Sequence, residues 1–310
     1  MADASIITAT AALWTSELKF YSKRRKPLCN GLYLDAGPGT LTAIMGLAGC
    51  GKSVFLQILA GYIQPQSGRV FLGEEDLHRN VHRLGGRAGY VPQAEIMIPE
   101  LTVGTSLDYR LRFRESRMTA QERRTRCAEV CRQIGLKDVD SLLAKQIGAP
   151  EWRGEFPSGG ERRRVNIAHE LLGEPPVLLM DEPTTGLSSL DSDLLVRQMQ
   201  EICRERQIPI VMTIHQPSQE AFSRIDDLLI IGLGGSPVYY GPCDMAAGYV
   251  EQMTNMLPSS GQNPADYVLG PLGNRQSSNW MVDQFRINRD SGDFDYLKTA
   301  RRQAASEQAI

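Results

Sequence analysis

Eight residues constrain this chain more than any others: Gly46-Leu47-Ala48-Gly49-Cys50-Gly51-Lys52-Ser53. They fit G-x-x-x-x-G-K-[ST], the pattern of a loop that cradles phosphates. The flanks suit it. Leu41-Thr42-Ala43-Ile44-Met45 reads as a short buried strand, and Val54 to Ala60 is apolar at helical spacing and closed by Gly61. Strand, glycine loop and helix together form an anion site. Glycines let successive N–H groups point at phosphate oxygens, and the helix N-terminus adds partial positive charge. In that frame Lys52 reaches the β- and γ-phosphates and the Ser53 hydroxyl holds Mg²⁺.

Composition sets bounds around this site. The 310 residues are 42% hydrophobic and 23% charged, enough to bury a core. A net charge of −2 gives no electrostatic case for a nucleic-acid partner. Six cysteines are scattered without zinc-ligand spacing and read as reduced thiols; Cys127 and Cys131, four apart, fall on one helix face. No run approaches the ~18 apolar residues of a membrane-spanning helix. Ser5 to Trp14 is apolar but has no basic segment before it, so it makes a poor signal peptide.

In chain order, residues 15–40 read as two or three strands around a basic turn. Tyr21 lies upstream of the phosphate loop, where its ring either stacks on a base or packs in a sheet. Strands follow at Arg69–Leu72 and before Gln93, which leaves its strand placed for Mg²⁺ or an attacking water. Thr102–Arg114 and Thr119–Ile134 are helical and interrupt the strand–helix alternation. They imply an inserted helical part of about 65 residues, counted from Gln93 to Ser158.

Ser158-Gly159-Gly160-Glu161 then opens a helix. It is either an ordinary capped start or a second anion loop, serving the same nucleotide or one on another molecule. Val177–Met180 is an apolar strand that ends in Asp181 and Glu182. Strand alternation sends the two carboxylates to opposite sides, Asp181 toward Mg²⁺ and Glu182 toward the water position of an in-line transfer. The strand Ile208–Ile214 delivers His215, a candidate γ-phosphate sensor. Strands at 226–231 and 238–240 and a helix from Cys243 to Met256 complete this order.

These residues together resemble the nucleotide-binding domain of ATP-binding cassette transporters over about residues 15–270. Gly46–Ser53 is similar to Walker A, Gln93 to the Q-loop glutamine and Ser158–Glu161 to the signature. Asp181 and Glu182 resemble Walker B with its catalytic glutamate, and His215 the switch histidine. Subfamily G is the nearest likeness, through Pro38-Gly39 with Ala43-Ile44-Met45-Gly46, Gly160–Val165, Thr213-Ile214-His215-Gln216-Pro217-Ser218 and Asn263-Pro264-Ala265-Asp266-Tyr267.

The resemblance implies an α/β fold: a P-loop NTPase (RecA-like) core, an N-terminal antiparallel β subdomain and an inserted α-helical subdomain at about 100–165. The ATPase domain would span 1–272, and 273–310 would lead toward a transmembrane domain. ATP and Mg²⁺ are the implied cofactors. Gly46 to Val54 with Tyr21 would bind ATP, while Ser53, Gln93 and Asp181 would hold Mg²⁺. Glu182, His215 and Gln93 would be catalytic, and Ser158–Glu161 would contact the ATP of a partner subunit.

The implied partners are a second nucleotide-binding domain and a transporter's transmembrane domain, and the implied action is ATP-driven export at the cytoplasmic face of a membrane. The isolated chain is expected to be soluble. Cys50, in the loop, predicts alkylation that ATP blocks. Three positions depart from the family pattern. Val54 replaces Thr, Pro157 precedes the signature in place of Leu or Val, and Ser188-Ser189 follows Gly186-Leu187 where Asp-Ser is usual. They keep a weakened regulatory cassette as the alternative reading, beside a soluble non-transport ATPase of the same superfamily.

Overall fold

The computed structural model describes residues 11–80, 88–114, 117–149 and 152–290. Strands β1 (Leu13–Thr15), β2 (Leu18–Tyr21), β3 (Pro27–Leu32), β4 (Asp35–Ala36), β5 (Leu41–Gly46), β6 (Val70–Leu72) and β7 (Glu75–Asp76) come first. They are followed by β8 (Gly89–Val91), β9 (Leu178–Met180), β10 (Ile210–Thr213), β11 (Asp227–Ile231) and β12 (Pro237–Pro242).

The central sheet runs β12-β11-β5-β10-β9-β8 and is parallel except for β12, which pairs antiparallel with β11 at the edge. All six residues of β5 are buried, as a parallel strand covered on two faces requires. Alternation divides the strands between two cores. Leu41, Ala43, Met45, Leu178, Met180, Ile210 and Met212 face one core. Ile44, Leu179, Val211, Leu229 and Ile231 face the other, which includes Phe55 and Leu56 of the Lys52–Leu59 helix.

The N-terminal strands build an antiparallel sheet in the order β4-β1-β6-β7, with β2 and β3 as a hairpin beside it. A bridge between Lys19 and Ser67 links the two. Helices Val103–Arg114, Ala120–Gln133 and Val139–Ala144 are inserted between β8 and β9. Cys127 and Cys131 share the buried face of the second of these. The fold is therefore the expected α/β type with an antiparallel β part and inserted helices.

Two segments differ in detail from the sequence reading. The helix expected over Cys243–Met256 is a 3-10 turn at Cys243–Met245 followed by a helix at Ala246–Thr254. Asn255, with φ 52°, ends it in the left-handed conformation. Beyond Gly273, residues Arg275–Asp290 form a helix with Met281 and Phe285 fully buried. Residues 1–10 and 291–310 lie outside the described residues, and with them much of the apolar stretch from Ser5 and of the expected linker. Among the described residues no helix is long and apolar enough to cross a membrane.

Candidate functional site

The phosphate loop leaves the carboxyl end of β5, where ligands of open parallel sheets bind. Gly46 and Gly51 have φ of 152° and 111°. A Cβ at Gly46 would lie 2.4 Å from the Ile231 carbonyl oxygen, and one at Gly51 would lie 2.0 Å from that of Leu28. Only glycine satisfies both the dihedrals and these approaches.

Lys52 is 6% exposed, and its Nζ donates to the carbonyls of Gly46 at 2.9 Å and Leu47 at 3.2 Å. The ammonium is thus held inside the loop, while Ala48 and Gly49 stay exposed. Ser53 is half-buried beside it, and Val54 packs against the second core. A glycine-lined cradle, an inward lysine, a hydroxyl and a buried carboxylate (Asp181, below) are the donor set that a phosphate chain with Mg²⁺ requires.

Cys50 does not offer the reactive thiol expected from its position. It is 5% exposed and packs in the core behind the loop, and burial pushes its thiol pKa up against the lowering influence of Lys52. The thiolate that alkylation needs is disfavoured.

The carboxylates at the end of β9 are aimed by turn geometry rather than by strand alternation. Asp181 is 4% exposed, and its N–H donates to the Val91 carbonyl at 2.8 Å. Glu182 has already left the strand, with φ of 48° in the left-handed region. The Thr213 hydroxyl, at the end of β10, sits between them. It donates to Asp181 Oδ1 at 2.8 Å and accepts the Glu182 N–H at 2.7 Å. Gln93, leaving β8, donates from Nε2 to Glu182 Oε2 at 2.8 Å, and Thr185 Oγ1 donates to the same oxygen at 3.1 Å. The structure thus brings Gln93 onto Glu182 directly, and joins Asp181 to Glu182 through Thr213.

His215 is exposed at the exit of β10 and lines a cleft of about 330 Å³ with Thr184, Thr185 and Ser189. Tyr21 closes β2, half out in solvent. Its backbone is clamped by Gln66, which accepts from Tyr21 N at 2.6 Å and donates to Tyr21 O at 3.1 Å.

Ser158 caps the Gly159–Leu172 helix in a reciprocal box. Its hydroxyl accepts from Glu161 N at 3.2 Å, and Glu161 Oε2 accepts from Ser158 N at 2.7 Å. Ser158 and Gly159 are exposed, and a Cβ at Gly159 would meet nothing within 4 Å. Pro157, just before, is buried.

At the Ser188 departure, serine caps the Ser189–Arg206 helix and donates to Asp191 Oδ2 at 2.7 Å. Asp191 in turn binds Arg164 of the signature helix at 3.1 Å. The aspartate three residues on thus ties this turn to the signature helix. Sequence reasoning missed that link and missed the roles of Thr213 and Thr185. A threonine closing an apolar strand, or following the acids in a tight turn, carries no signal of its own.

The fold and this site define a P-loop ATP hydrolase. A protein-family model described as "ABC transporter" matches residues 29–185. ABC transporter G family member 22 of Arabidopsis thaliana is 33% identical over 254 residues, 81% of this chain and 32% of that protein. Member 26 of the same plant is 31% identical over 246 residues, 79% of this chain and 34% of that protein. The chain spans about a third of the length of these relatives. Among solved structures, cbiO1 from Clostridium perfringens, part of the ABC transporter complex cbiONQ, aligns with a TM-score of 0.66 at 22% identity. That alignment covers 79% of this chain and 94% of cbiO1, and it supports the fold. The chain belongs to the ABC transporter family.

Proposed function

We propose that this chain is the motor of a membrane exporter, working as a head-to-tail pair of nucleotide-binding domains. Each MgATP would lie between Gly46–Ser53 of one domain and the Ser158–Glu161 loop of the other. Closure on ATP and reopening after hydrolysis would drive the transmembrane part. The observation that carries the reading is the hydrogen-bonded set Gln93–Glu182–Thr213–Asp181. It is assembled at the carboxyl ends of β8, β9 and β10, beside the phosphate loop of β5.

In this reading Lys52 neutralises the β- and γ-phosphates and Tyr21 stacks on the base. Ser53, Gln93 and Asp181 would hold Mg²⁺, which would supply charge neutralisation across the phosphates. Glu182 takes the proton of the attacking water, and His215 contacts the γ-phosphate. The Gln93–Glu182 hydrogen bond presents the base already oriented. Opening that bond would let Gln93 turn to the metal.

The test is MgATP hydrolysis across a wide range of protein concentration, with Glu182→Gln alongside. Specific activity should rise with concentration and fall roughly 100-fold or more in the variant, the scale of a lost general base. Flat or absent turnover with ATP still bound would overturn the self-paired motor. It would favour an unlike partner or a regulatory cassette.

A further inference from the structure

The Thr213 hydroxyl touches both acidic residues of the site, the carboxylate of Asp181 and the backbone N–H of Glu182, and no motif assigns it a role. It is fully buried at the last position of β10, between β9 and β5, with its Cα paired to Ile44. A hydroxyl has one donor and two acceptor positions. Here the donor goes to Asp181 Oδ1 and one acceptor position takes the Glu182 N–H. We propose that Thr213 is a positioning residue for hydrolysis: one hydroxyl fixes the rotation of the metal-side carboxylate of Asp181 and pins the backbone from which Glu182 is presented.

Two physical features give the hydroxyl this leverage. Asp181 accepts only, so a donor on Oδ1 sets its plane and leaves Oδ2 to a cation. Glu182 holds φ at 48°, a conformation that L residues with a Cβ avoid and keep only where the surroundings enforce it. Gln93 and Thr185 anchor its side chain, and the Thr185 N–H also donates to its carbonyl at 3.2 Å, but its own N–H is held by Thr213. Without that acceptor the turn can relax and carry the carboxylate away. A valine keeps the shape and β-branching of the threonine while removing only the oxygen.

This proposal rests on the ATP-hydrolysing reading above, so metal binding is measured apart from turnover. The probe is Mn²⁺ affinity, by electron paramagnetic resonance, in the presence of a non-hydrolysable ATP analogue. ATP affinity in EDTA and the thermal transition serve as controls. Thr213→Val should melt cooperatively and bind ATP in EDTA like the unmodified chain. It should lose roughly tenfold or more in Mn²⁺ affinity and in turnover, the range expected when a hydrogen-bond partner of a metal ligand is removed. Thr213→Ser, which restores the hydroxyl, should return both to within a few-fold.

Unchanged Mn²⁺ affinity and turnover in Thr213→Val would overturn the proposal, as would a serine variant as impaired as the valine one. If the valine variant does not fold, Thr213→Cys keeps the size with a weaker donor; a graded loss supports the role and full Mn²⁺ affinity refutes it. If the unmodified chain shows no turnover, the self-paired motor fails, while the Mn²⁺ comparison still decides the role of Thr213.

Discussion

Two small-residue loops open helices in this chain, and they are finished to different degrees. The Gly46–Ser53 loop is wedged against its surroundings. Two of its glycines abut foreign carbonyls, its lysine is folded inward and its cysteine is sealed in the core. The Ser158–Glu161 loop is satisfied locally by its own capping box and stands open, with free space over Gly159. In the proposed reading the first loop binds phosphate within one chain, and the second holds its shape for the nucleotide of another copy.

The sharpest way to break this contrast is to add one methyl group to each loop. Gly51→Ala drives a Cβ to 2.0 Å from the Leu28 carbonyl oxygen at φ 111°. It should cost more than about 3 kcal/mol, the scale of severe backbone strain with a steric clash, and abolish nucleotide binding. Gly159→Ala meets nothing and replaces glycine in a helix. It should leave the melting temperature equal or raise stability by up to about 1 kcal/mol. ATP affinity of the single chain should be unchanged while turnover falls, if, as proposed, the open space over Gly159 receives the phosphate of a nucleotide held between copies. Equal effects at the two positions, read by calorimetry and ATP titration, would end the distinction.

A smaller effect sharpens the idea that the second loop is held by its cap. Ser158→Ala removes the hydroxyl that accepts from Glu161 N and should cost about 1 kcal/mol, lowering the melting temperature by roughly 2–4 °C. Thr119 heads the same reciprocal box with Glu122 on another helix. Thr119→Ala should therefore match the thermal loss. Only the Ser158 change should also reduce turnover at saturating ATP.

The same contrast explains what could be read without coordinates. The phosphate loop was legible because its chemistry is local: strand, glycines, lysine and helix follow one another within twenty residues or so of chain. The buried strands of the sheet were legible, though not their order, because β5, β9 and β10 are short runs of apolar residues, which parallel pairing demands. Thr213 was hidden because its partners lie 32 and 31 residues away and meet it only through the β10–β9 pairing. The presentation of Glu182 was misattributed because a positive φ at a non-glycine residue leaves no trace in composition. Cys50 was judged by its place in a loop, whereas its burial is set by β3 and the core behind the loop. Ser188 looked like a lost aspartate, while the compensating carboxylate of Asp191 sits one helical turn on, paired with Arg164.

That last pairing gives the smallest expected effect. The Ser188 hydroxyl, and after it Arg164, holds the Asp191 carboxyl below the ordinary aspartate range. A folded-state pKa below the unfolded one stabilises above the unfolded value, near ~3.9, and that contribution is lost as pH falls through the folded value. The Asp191 side chain is 48% exposed, so solvent screening confines the ion pair to the scale of surface pairs, ~0.2–1 kcal/mol. Asp191→Asn keeps a polar partner for Ser188 and removes the charge. Its melting temperature should fall slightly below that of the unmodified chain at neutral pH, and the gap should close as pH drops past ~4. Superimposable curves from pH ~7 to ~3 would mean that the tie between the Ser188 turn and the signature helix rests on hydrogen bonding alone. A gap that closes would show that charge joins the open loop to the turn behind it.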